Sequence, residues 1–175
     1  TKPIGTGTLF AADMQYKAKG QWIQSAMDMM LTSNKEAAEI LCNANACTDV
    51  TGLGLVGHLM EMLKTDQLEA VIQLSQRPLL DGALTTMNNL GIKSTLHEAN
   101  QRSIALVEGH PDHPAFPLLF DPQTAGGLLA AVDAEDAEEL IIQLRAANCS
   151  EAAIIGCISG RDVAPFEGTR VRLGE

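Results

Sequence analysis

Aromatic side chains make up only 3% of this 175-residue chain, with one Trp and one Tyr, so there is no set of ring faces on which unpaired bases could stack. The core has to be built from Leu, Ile, Val, Ala and Met. Basic residues are scarce too: 12 Lys and Arg stand against 22 Asp and Glu, a net charge of −10 with a pI near 4.7. Such a chain repels a polyanion at long range and nowhere gathers Lys or Arg into a patch, so no nucleic-acid partner is expected. A phosphate site here has to work through a divalent cation or borrow its basic residues from another segment. The four cysteines, Cys42, Cys47, Cys149 and Cys157, include no C-x-x-C pair. Zinc held by Cys42, Cys47 and His58 matches no common ligand spacing, and small buried thiols in a reduced, cytoplasmic setting fit better. The chain contains neither a secretory apolar segment nor a run of roughly 18 apolar residues, so no membrane partner is expected either.

What is present is 46% apolar residues, enough for one packed domain and too few positions for two ordinary ones. The most informative stretch is ACTDVTGLGLVGH at 46–58, which sets a carboxylate, Asp49, and two hydroxyls ahead of a helical pattern. From about Thr51, apolar residues recur at Leu53, Val56, Leu59, Met60 and Leu63, the spacing of one buried helix face. Asp49 and Thr51 are thereby expected at a helix N-terminus, which suits an anion or a carboxylate holding a cation against a phosphate. The bland alternative is that Asp49 is a helix cap worth about 1 kcal/mol. Gly54 and Gly57 each cost a helix roughly 1 kcal/mol relative to alanine, so some other group must approach the backbone there.

Around that stretch the pattern predicts a strand over 7–12, a helix over 20–30, and a second helix over 35–45 capped by Ser33 or Asn34. Further strands are expected at 68–74, 152–159 and 169–173, and helices at 77–90, 97–105 and, capped by Asp133, 133–147. His110 and His113, with prolines around them, read as a solvated loop. In 117–132 two apolar runs flank a turn containing Asp121, Pro122 and a glycine pair, either a backbone anion nest or an ordinary connection. Strands mixed singly with long helices predict an α+β domain, an α/β sandwich with a mixed sheet of about four to six strands covered by helices.

Three segments in this order, TKPIGTG at 1–7, ACTDVTGLGLVGH at 46–58 and LLFDPQTAGGLLAAV at 118–132, resemble the C-terminal half of selenophosphate synthetase (selenide, water dikinase). Leu53 and Val56 stand where an aromatic and a leucine are more usual, and Ala125 where a serine is common. The resemblance implies an aminoimidazole ribonucleotide synthetase-like C-terminal fold. It implies an enzyme that makes selenophosphate from selenide and ATP with Mg²⁺, releasing AMP and phosphate, and that is a homodimer at full length. It makes Asp49 a ligand of Mg²⁺ at the nucleotide phosphates. The family's N-terminal half, with its reactive Cys or selenocysteine, its lysine and its other Mg²⁺ aspartates, is not in this sequence, and none of the four cysteines matches that nucleophile. The chain is therefore expected to be part of a longer enzyme, to contribute one wall of the ATP site, to meet ATP and selenide through the other half, and to be inactive alone. A sister enzyme of aminoimidazole ribonucleotide synthetase or hydrogenase-maturation type, or a non-catalytic binding or dimerising module, is the alternative.

Overall fold

The computed structural model describes residues 1–63, 68–103, 107–109, 112–160 and 170–174. Its first element is helix α1 (Thr6–Asp13), where the sequence pattern predicts a strand over 7–12. The reason lies far along the chain. The side-chain oxygen of Gln123 accepts the backbone N–H groups of Gly5 at 2.9 Å and Thr6 at 3.2 Å, supplying partners that a helix start lacks within itself. Leu9 and Ala12 are then fully buried. Tertiary capping has overridden a weak local preference.

Helix α2 (Gly20–Leu31) closely matches its expected span and buries Ala26, with Trp22, Ile23, Met29 and Met30 half-buried beside it. Helix α3 (Lys35–Ile40) is shorter than the expected 35–45. Its start is held by Ser33 Oγ, which accepts the Lys35 N–H. Its end is dictated by strand β1 (Ala46–Asp49), because the Asn45 N–H already bonds to Ala131 O at 2.8 Å. Helix α4 (Gly54–Met62) follows and turns Val56 and Leu59 inward, with Leu63 buried just past its end.

Strand β2 (Leu68–Gln73) lies where alternation places it. The helix expected over 77–90 shrinks to one π-helical turn, Thr85–Asn89. Ahead of it, Leu79 pairs with Ile4 as an isolated parallel bridge, and the Trp22 ring sits on Gly82, whose φ is +82°. No continuous helix can pass through both contacts. Helix α5 (His97–Ser103) agrees with its expected start, and 104 and 105 lie outside the described residues. Strand β3 (Val107–Glu108) is short, and the apolar run at 117–120 forms a 3₁₀ turn. Strand β4 (Leu128–Ala131) carries the second apolar run of that segment.

Helix α6 (Ala137–Ala146) begins four residues later than its expected cap. The Asp133 carboxylate accepts from Asn45 Nδ2 at 2.9 Å and so ties down the start of β1 instead. Strand β5 (Gly156–Gly160) starts late relative to 152–159, because Ala152 is buried in a small apolar cluster with Ala37, Leu41, Leu144 and Cys149. Strand β6 (Arg170–Gly174) closes the described chain; the loop expected at 160–168 lies outside the described residues from 161 onward.

The strands form a four-stranded mixed sheet in the order β3-β6-β2-β5, with β6 parallel to β2 and β3 and β5 antiparallel to β2. A separate antiparallel ladder pairs β1 with β4. The main core joins Leu9 of α1, Val56 and Leu59 of α4, Ile72 of β2, Phe120 and Val171. This is the α+β arrangement, with helices on a mixed sheet, that the order of elements implies. Among the described residues no helix is long and apolar enough to cross a membrane.

Candidate functional site

Asp49 is the last residue of β1, paired opposite Leu128 of β4 and exposed. It is not at the start of a helix: Val50 to Leu53 intervene, α4 begins at Gly54, and no side chain caps it. That removes the reading of Asp49 as a helix cap. Val50 turns the other way, 5% exposed, and its N–H bonds to Gly127 O at 2.9 Å. Burial alternates through exposed Asp49, buried Val50 and half-buried Thr51, as extended chain does. The Asp49 carboxylate is thus on the exposed side, while the Thr51 hydroxyl contacts the buried His58 ring.

The turn after Asp49 is held from several directions. Thr51 O accepts the N–H groups of Gly54 at 3.1 Å and Gln123 at 2.9 Å, while Asn100 Nδ2 bonds to Gly52 O at 2.8 Å. Gly54 has φ +73°, and a Cβ there would stand 2.8 Å from the carbonyl carbon of Phe120. This is the close backbone approach that Gly54 calls for. Leu53, expected on the buried face, is 40% exposed because it belongs to the turn rather than the helix.

One turn into α4, His58 is 8% exposed, with Nε2 3.2 Å from Thr51 Oγ1. Its Nδ1 lies 3.3 Å from Glu61 Oε2 but makes no hydrogen bond. The imidazole therefore stands between the Thr51 hydroxyl and the Glu61 carboxylate. Residue patterning misses this contact. The residue pattern offers His58 only as a zinc ligand with Cys42 and Cys47, and among the described residues no group of three or more His, Cys, Asp or Glu could hold a metal.

The second informative segment turns out to be a connector. The Gln123 N–H goes to Thr51 O and the Thr124 N–H to Thr6 Oγ1, so these groups are not left facing a ligand. Gln123 Nε2 donates to Asp121 O at 2.7 Å and Oδ2 at 3.0 Å. Asp121 is fully buried against the N-terminus of α1. Burial pushes its carboxyl up to about 7, against the opposing pull of the Thr8 N–H, the Gln123 amide and the Gly7 N–H. Partial burial likewise pushes the Cys47 thiol up, and the neighbouring Asp49 charge adds to the rise. His113 Nδ1 accepts the Ala115 N–H at 3.2 Å, as a loop histidine would, while His110 lies outside the described residues.

The group that Asp49 presents is a pair of oxygens. An exposed carboxylate fits a hard cation that takes its other ligands from phosphate and water, since Mg²⁺ commonly uses only one or two carboxylates. It does not make a complete cage.

Fold and site together define an α+β domain that presents one strand-end carboxylate beside a clamped, glycine-spaced turn. The chain belongs to the family described as AIR synthase related protein, C-terminal domain, which it matches over residues 4–165. Among similar proteins, the selenide, water dikinase of Clostridioides difficile (strain 630) is 34% identical over 163 residues, 90% of this chain and 47% of that protein. That of Shewanella sp. (strain MR-7) is 39% identical over 148 residues, 83% of this chain and 42% of the relative. The chain thus spans about half the length of the curated relatives it matches. Among solved structures, the Escherichia coli hydrogenase maturation protein HypE superposes with a TM-score of 0.66 at 17% identity, covering 97% of this chain and 44% of that one. A HypE structure in complex with ATP gives 0.56 at 14% identity, over 92% of this chain and 41% of that one. At these identities the likeness is one of fold.

Proposed function

We propose that this chain is the C-terminal domain of a selenide, water dikinase, in which Asp49 supplies one ligand to a Mg²⁺ ion on the phosphates of ATP. The enzyme makes selenophosphate from selenide and ATP, releasing AMP and phosphate. The rest of the protein provides the nucleophile and the remaining cation ligands. Phosphoryl transfer depends mostly on positioning and charge neutralisation, and a rigid strand-end carboxylate is suited to both. The observation that carries the reading is the exposure of Asp49 at a register-locked strand end, in a chain 34% and 39% identical to two selenide, water dikinases.

The chain's own residues then have separable tasks. Asp49 holds the cation, the β1–β4 ladder fixes where its oxygens lie, and Gln123, Asn100 and Gly54 keep the following turn from moving. The net charge of −10 explains why the phosphates need the cation and the other half's basic groups. The full-length protein is a cytoplasmic homodimer, and this domain by itself is inactive. Of the four free thiols only Cys149 is buried, so the expectation of small interior thiols fails for the exposed Cys42, Cys47 and Cys157; unpaired cysteines accord with a reducing compartment.

Titration calorimetry of MgATP into the full-length protein and its Asp49→Asn variant tests this. The variant should lose at least about tenfold in affinity, the scale on which charge-bearing metal contacts count. Undiminished binding would remove the proposal.

A further inference from the structure

Strand β4 pairs with β1 on one side only. The Val50 N–H bonds to Gly127 O at 2.9 Å and the Asn45 N–H to Ala131 O at 2.8 Å. The odd-numbered positions of this segment therefore face β1, and by the alternation of an antiparallel ladder Leu128 and Ala130 turn their backbone groups to the opposite edge. On that edge the Thr1 nitrogen donates to Leu128 O at 2.9 Å, and the Leu128 N–H donates to Thr1 Oγ1 at 2.7 Å. A Cβ on Gly127 would stand 2.5 Å from Lys2 N, so Thr1 and Lys2 run antiparallel to β4. Among the described residues no strand continues this pairing to Ala130. The side chains point to one. All of Leu128–Ala131 are half-buried, Leu129 against the main core, Leu128 and Ala130 against the small cluster around Leu144. An apolar edge strand packed on both faces, without charge or proline, is one that proteins cover rather than leave open. Strand β1 differs, since its Cys47 and Asp49 are exposed.

We infer that the outer edge of β4 receives a third strand from the segment that precedes Thr1 in the longer enzyme. It runs antiparallel to β4, with the residue just before Thr1 opposite Leu129 and the one before that bonded to Ala130. The inference rests on the proposed reading of this chain as one domain of that enzyme. Main-chain bonds at Ala130 supply the pairing, and the two apolar clusters call for a segment with apolar side chains on both faces. Strand β4 also fixes Asp49, which lies opposite Leu128. The connection between the two halves then enters the same ladder as the proposed cation ligand, with only β4 between them.

Two NMR measurements on the isotopically labelled full-length protein decide it, and neither needs a variant to fold. Hydrogen exchange should show the Ala130 amide slowed by at least about 100-fold relative to an open chain. A nuclear Overhauser contact should join the Hα atoms of Leu129 and of the residue just before Thr1, because a non-hydrogen-bonded antiparallel pair brings its Cα atoms to about 4.5 Å. An Ala130 amide that exchanges freely, or a contact from Leu129 to a different segment, would overturn the inference. So would a contact that arises only between labelled and unlabelled copies, which makes the occupant a second molecule. Free exchange at Ala130 alongside lost MgATP affinity in Asp49→Asn would sink the added strand and spare the cation site. A protected Ala130 with undiminished affinity in Asp49→Asn would do the reverse.

Discussion

The side-chain oxygen of Gln123 accepts the backbone N–H of Gly5 at 2.9 Å across 118 positions of sequence. The same oxygen takes the Thr6 N–H and hydroxyl, and the amide nitrogen goes to Asp121. Gln123 thus joins the start of α1 to the turn that follows Asp49, since its backbone N–H bonds to Thr51 O.

Gln123→Leu should therefore be far more costly than its polarity suggests. It leaves buried N–H groups at Gly5 and Thr6 without partners, each a loss of about 1 to 3 kcal/mol, so a total on the order of 3 kcal/mol is expected. Urea unfolding of wild type and variant measures it, and a difference below about 1 kcal/mol would mean that the contact carries little.

Asp121 predicts a pH dependence of stability. Its carboxyl is held up to about 7 when folded, against an ordinary value of 3.8. The folded chain therefore binds more protons than the unfolded chain between these values, and stability falls as pH rises through that window. This contribution is fully present below about pH 4, and a loss on the order of 4 kcal/mol is complete above about pH 7. In Asp121→Asn the slope of unfolding free energy between pH 5 and pH 7.5 should flatten, whatever the offset. An unchanged slope would show that another group is responsible.

The two helix-start glycines should respond in opposite directions. At Gly54, φ is +73° and an added Cβ would meet Leu119 O at 2.9 Å and the Phe120 carbonyl carbon at 2.8 Å, whereas nothing lies within 4 Å of a Cβ at Gly20. Gly54→Ala is expected to destabilise by more than about 1 kcal/mol, and Gly20→Ala to stabilise by about 0.5 kcal/mol. Thermal unfolding of both variants checks the pair.

Asp49→Ala should leave the fold almost untouched. The side chain is exposed, at the end of a strand, and caps no helix, so the change belongs with surface substitutions that shift stability by less than about 0.5 kcal/mol. A stable variant without MgATP affinity separates the metal role from a structural one. Large destabilisation would assign the carboxylate to the fold instead.

Elements with a continuous apolar stripe were legible from sequence: Val56, Leu59 and Leu63 mark α4, and the alternation at 68–74 marks β2. The exposed carboxylate at 49 was legible through the motif around it. What could not be read locally was decided by partners distant in sequence. Residues 7–12 are helical because Gln123 caps Gly5 and Thr6. The helix expected at 133 starts at 137 because Asp133 is bonded to Asn45. Residues 77–90 cannot be one helix because Ile4 and Trp22 occupy that path. The Thr51–His58 contact also escapes pattern reading, because a turn of unknown shape separates the two.

The pairing of Asp49 with Leu128 also dictates an order of events during synthesis. At about 5 to 20 residues per second, position 128 leaves the ribosome roughly 4 to 16 seconds after position 49. Until then the acidic residue has no neighbouring strand to fix its direction, so a nascent chain paused anywhere in that interval holds every atom of the Asp49 carboxylate and none of its geometry.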